Sequence, residues 1–116
     1  MKILHTIITF VLAIIPTIAC AGWTRLYGGE DDDVGRSVRQ TSDGGYIIAG
    51  ATASYGDRFG SLWLLKTDSL GDTLWAHTYG RYEGSFLNMG SCVQETHDKG
   101  FIITGMTAKG NIVVTL

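Results

Sequence analysis

Four groups of residues in this chain could do chemistry, and each implies a different kind. Glu30-Asp31-Asp32-Asp33 is its only acidic run. Asp31 and Asp33 alternate and Gly35 could turn the chain, but a calcium loop also needs a closing acidic ligand further on. No Glu stands at that spacing, and a solvated loop between strands is the expected role. His77 and His97 could serve a metal or an acid–base step, yet neither has a Cys or His at zinc-ligand spacing. Cys92 falls where a strand should start, so a packed small side chain is expected there. Trp23, Trp63 and Trp75 offer aromatic faces of the kind that stack on sugars. Their recurrence along the chain instead suggests packing between repeated units. No Gly-x-Ser-x-Gly nucleophile elbow occurs. On these grounds no catalytic, cofactor-binding or metal-binding residue is expected. The net charge of −2, from 9 Lys and Arg against 11 Asp and Glu, is unlike the clustered basic surface of a nucleic-acid-binding domain.

The N-terminus carries an address. Lys2 supplies a positive charge, Ile3 to Ile15 is a nearly unbroken apolar stretch, and Pro16 ends it before Ala19-Cys20-Ala21. This is the layout of a secretory signal peptide, with a core too short to span about 30 Å of hydrocarbon. Two processing routes fit. Cleavage after Ala21 would leave Gly22 at the new N-terminus. Alternatively, Thr17-Ile18-Ala19-Cys20 resembles a bacterial lipobox, which makes Cys20 the candidate lipidation site and implies a lipid anchor. Nothing in residues 22–116 is long and apolar enough for a membrane-spanning helix. With Cys20 removed or lipidated, Cys92 has no obvious disulfide partner.

The elements that must position the remaining residues repeat. Residues 41–53, TSDGGYIIAGATA, align with 96–108, THDKGFIITGMTA, at an offset of 55 with eight of thirteen positions identical. Trp23-x3-Tyr27-Gly28 matches Trp75-x3-Tyr79-Gly80 at an offset of 52. Unit one covers about 23–74 and unit two 75–116. Short runs with alternating or apolar character predict strands at 37–41, 46–51, 62–67 and 73–79, separated by Gly- and Asp-rich turns. Sixteen Gly against one Pro suits many tight turns. No stretch of 22–116 carries helical periodicity, so the fold class is all-β. Four strands in about 50 residues is the arithmetic of a β-propeller blade, with a β-solenoid or a sandwich of stacked hairpins as the alternative.

The unit resembles that of a family of exported bacterial tandem-repeat proteins, read as W-x3-Y-G-G…Q-T-x-D-G-G-Y-I-x-A-G-x-T…W-L-x-K-x-D-x2-G-D-x2-W. This chain supplies it as Trp23, Tyr27, Gly28 and Gly29, then Gln40 to Thr52, then Trp63 to Trp75. The resemblance implies propeller-like arrays, export, and, in longer members, a C-terminal sorting domain for type IX secretion. Unit two departs from it at Arg81 and Lys99, and its third strand, at 111–115, comes six residues early and lacks the Trp. No Gln-x-Asp-x-Asn-x-Val-x-Tyr sugar motif of bulb-type lectins occurs. A closed propeller takes about four to eight blades. Two partial units therefore lead one to expect a piece or degenerate remnant of a longer array. In that array Trp23–Tyr27 is a fourth strand, or else it pairs with the C-terminal strand to close a small self-contained sheet. The expected function is that of a non-enzymatic structural or binding module at the cell surface, in the envelope or outside the cell. Its partner is unknown, with surface polysaccharide or protein as the classes to consider. The alternative is part of an exported propeller enzyme acting on glycans.

Overall fold

The computed structural model describes residues 22–57, 59–80, 89–107 and 110–115. The signal-peptide reading of 1–21, with Cys20, and residues 81–88 lie outside them. All regular structure among the described residues is β. Strands β1 (Asp33–Gln40), β2 (Tyr46–Thr52), β3 (Ser61–Thr67) and β4 (Thr73–Tyr79) form a sheet in the order β1-β2-β3-β4. Strands β5 (Met89–Glu95), β6 (Phe101–Thr107) and β7 (Gly110–Thr115) form a second, in the order β5-β6-β7. Every pairing is antiparallel. The sequence placed four of these strands within one residue of their ends, but β1 begins four residues before the expected 37.

The offset of 55 recurs in the pairing register. Val38 opposes Ile48 and Val93 opposes Ile103, while Gln40 opposes Tyr46 and Glu95 opposes Phe101. Both hairpins carry a bulge at the same place, between Gly35 and Ser37 and between Gly90 and Cys92. Glycine is needed opposite it. A Cβ on Gly50 would lie 1.8 Å from the Val34 carbonyl oxygen, and one on Gly105 would lie 2.3 Å from that of Met89.

The two sheets stack face to face. Side chains alternate across a strand, so one face of the first sheet presents Ile47, Ala49, Leu62 and Leu64. It meets Val93, Phe101 and Ile103 of the second, and together they form the core. Burying each of the large aliphatic side chains contributes about 1.5–3 kcal/mol. The gap between the sheets is uneven. At the β5 side, a Cβ on Gly90 would come 3.3 Å from that of Ala49. At the β4 side the space is filled by Trp75, whose ring centroid lies 5.9 Å from that of Phe101, and by Tyr79. Small residues thus meet where β5 passes β2, and large rings fill the space between β4 and β6.

The stacking is head to tail. The second sheet contacts the first with Val93, Ile103 and Phe101. Their register equivalents in the first sheet, Val38, Ile48 and Tyr46, lie on its opposite face. Strand β3 is consequently covered on both sides and buried along its whole length, whereas β6 alternates buried and exposed.

Candidate functional site

The second face of the first sheet carries a concave surface. Trp23–Tyr27 was expected to be a strand. It has extended sequence character, but it joins neither sheet, because no strand lies beside it to take its backbone hydrogen bonds. Instead it crosses the face formed by Tyr46, Ile48, Trp63 and Leu65. The Trp23 ring meets Tyr46 edge-on at 5.7 Å, Tyr27 Oη donates to the Gly71 carbonyl at 2.7 Å, and Arg25 pairs with Asp72 at 2.9 Å. At the far end Tyr55 Oη donates to the Gly28 carbonyl at 3.0 Å. Beneath the segment runs a groove of about 460 Å³, lined by Leu26, Tyr27, Tyr55, Trp63, Leu65 and Ala76 among others.

This arrangement repeats the sheet–sheet interface. Trp23 corresponds to Trp75 and Tyr46 to Phe101, and the two Trp–aromatic centroid distances are 5.7 and 5.9 Å. Gly28 and its counterpart Gly80 both have positive φ, 141° and 124°, which disfavours any side chain there. The segment thus sits over the first sheet as β4 sits over the second.

The acidic run divides. Glu30, Asp31 and Asp32 are exposed, while Asp33 opens β1 and is tied down. Its carboxylate accepts from the Gly29 amide at 2.9 Å, from Ser54 Oγ at 2.7 Å and from Thr52 Oγ1. Burial raises its pKa, but these hydrogen bonds outweigh that and leave it lowered. Among the described residues no three His, Cys, Asp or Glu side chains gather as a metal site requires.

Asp43 and Asp98 organise the two equivalent turns. Each accepts from a hydroxyl two residues before it, Thr41 or Thr96, and from the amide two residues after it, Gly45 or Gly100. Gly44 and Lys99 take the left-handed conformation at φ 84° and 68°, so the Gly-to-Lys departure at this position keeps the turn at some backbone strain. Both carboxyls are held below their usual range, foremost by the threonine hydroxyl bond. Asp43 has a further partner, since Lys66 Nζ lies 3.0 and 3.1 Å from its two oxygens and also donates to the Thr67 carbonyl at 2.9 Å. The Lys66 side chain is only 6% exposed. Carboxylates that serve turns in this way stay ionised and make poor general acids.

The two sheets also touch through polar groups at this end. Glu95 accepts from the Ser42 amide at 2.7 Å and from Ser42 Oγ at 2.9 Å, and Lys99 Nζ donates to that hydroxyl at 2.9 Å. The sequence offered no reason to single out Lys66 or Glu95 alone. The signal for Lys66 was its place in the W-L-x-K-x-D part of the unit.

The remaining expected residues scatter. His77 is exposed on β4 between the Trp75 and Tyr79 rings, at 5.0 and 6.2 Å, and His97 is exposed in a turn. Cys92 is exposed rather than packed. It projects from the face of the second sheet opposite the core, where no sheet covers it among the described residues. Trp63 is 8% exposed against Tyr55, so its ring face is not free for a sugar. Comparison with protein-family models, curated proteins and solved structures finds no match to this chain.

Proposed function

We propose that this chain is an exported, non-enzymatic repeat protein, a structural or binding module whose two sheets are blades of the β-propeller type. The observation that carries the proposal is the head-to-tail stack, with small residues meeting at β5 and large rings at β4. Uneven spacing between successive sheets bends the stack round an axis, as a propeller requires, whereas sheets of even spacing would continue in a straight line. Export is supported by the charged, apolar and small-residue succession of the first 21 residues. A non-enzymatic role is supported by Asp33, Asp43 and Asp98, each committed to backbone and hydroxyl partners.

The test is to express the full chain in a bacterium and weigh the protein recovered from envelope and medium. Loss of residues 1–21, or a diacylated N-terminal Cys20, is the expected result. An intact Met1 in the cytoplasm would overturn export. Incubating the recovered protein with insoluble polysaccharides should produce no new reducing ends. Their release would favour the glycan-active alternative.

A further inference from the structure

We infer that the outer face of the first sheet is the docking site for a second copy of this chain, whose β7 pairs with Trp23–Tyr27. The inference rests on the blade reading above and names the partner of its free face.

Three observations carry it. The chain already contains one such interface. Val93, Ile103 and Phe101 of the second sheet cover the first, and among the described residues their register equivalents on the outer face, Val38, Ile48 and Tyr46, have no sheet upon them. Val38 is 60% exposed where Val93 is 1% exposed. The opposite end of the stack presents the matching surface, since Ile102 and Met106 stand out from β6 at 36% and 52% exposure. Their register equivalents, Ile47 and Ala51, are buried. Among the described residues the surface made for stacking is therefore uncovered on both outer faces, and these two faces are of complementary kind.

The second observation is the Trp23–Tyr27 segment. It is held where β4 would be held on a preceding sheet, with the same Trp–aromatic contact and the same left-handed glycine after it. Its backbone is unpaired in either sheet. The third is β7, which among the described residues has β6 as its one neighbour. An edge strand of this kind offers a row of free amides and carbonyls. The groove between the segment and Trp63 and Leu65 lies where a third strand would direct side chains. In the interface within the chain, Leu62 and Leu64 of β3 fill that place.

Carrying the β3–β4 register across, in which Trp63 opposes Thr78 and Leu64 opposes His77, places Leu26 opposite Ile112 of the second copy and Arg25 opposite Val113. Because the contact is heterologous, it closes into a ring when the rotation per sheet permits. With the two sheets described for each copy, four to eight blades correspond to roughly two to four copies.

Two variants of the full exported chain, Leu26→Cys and Ile112→Cys, are made in a Cys92→Ser background, mixed and oxidised. The expected result is a cross-linked heterodimer, much more abundant than that from Leu26→Cys mixed with Val113→Cys. Sedimentation of the parent should give two to four times the chain mass, reduced to one by Val38→Arg without loss of the folded β signal. A monomeric parent at micromolar concentration with no cross-link preference would overturn the inference while leaving export and blade structure untouched. Indiscriminate cross-linking of both pairs would overturn the register.

Discussion

The hairpins 33–52 and 89–107 share a register, a bulge and a turn, yet they differ in what covers them. Ile48 and Ile103 stand at the same point of the ladder. Ile103 is fully buried between the sheets, and Ile48, on the face crossed by the 22–29 segment, is half-buried. Val38 and Val93 differ in the same way, as do the turns, since Asp43 holds a buried Lys66 while Asp98 holds backbone and hydroxyl groups only. The local chemistry of glycine, bulge and Asp turn is thus repeated independently of position. Burial is set by place in the stack.

The largest expected effect attacks what the hairpins share. Gly50→Val and Gly105→Val each force a Cβ into the facing carbonyl, and each should cost about 4 kcal/mol or more. Loss of the far-ultraviolet β signal or of a cooperative melt would register it. A variant melting like the parent would show the bulge to be plastic.

The next attacks what differs. Ile103→Ala should destabilise by about 3 kcal/mol, within the usual range for a buried large-to-small change, and Ile48→Ala by clearly less in dilute solution. Denaturant midpoints at equal slope would measure both. Equal losses would mean that Ile48 is covered as fully as Ile103. Truncating Asp43 should lower the melting temperature more than truncating Asp98, because the first strands the Lys66 ammonium in a buried position.

The smallest effect is on pH. Asp33, Asp43 and Asp98 all have lowered pKa values in the fold, so unfolding in acid takes up protons. Their stabilisation is present above the unfolded carboxyl value of about 3.9 and is lost as pH falls below it. Melting temperature should decline in acid, with a shallower decline in Asp43→Asn and Asp98→Asn. An unchanged slope in both variants would remove these turns from the acid response.

The strands were legible because their signals are local. Apolar runs such as 62–67 end at Asp and Gly turns, and the turn chemistry of Thr-x-Asp-x-Gly needs only five residues. The packing was not legible, because periodicity cannot say which of two apolar faces meets which. Nothing local in Trp23–Tyr27 distinguishes a paired strand from one laid across a face. Its twin at 75–79 is a strand because β3 lies beside it. The burial of Lys66 depends on Asp43, 23 residues away, and the Glu95 clamp joins groups 53 residues apart. Cys92 was misread for the same reason. It does lie in a strand, though midway along β5 rather than at its start, and whether that face is covered is a property of the neighbouring sheet.

The central claim, that one face of the first sheet stacks on the equivalent of its own opposite face in the second, has a direct test between the sheets. Ala49 and Gly90 come within 3.3 Å at their Cβ positions, and a relaxation of a few tenths of an ångström reaches the disulfide range of about 3.5–4.5 Å. Ala49→Cys combined with Gly90→Cys, in a Cys92→Ser background, should oxidise within one chain and raise stability by about 2–4 kcal/mol. Two thiols that stay free in the folded, oxidised protein, or that bridge only between chains, would contradict the stacking.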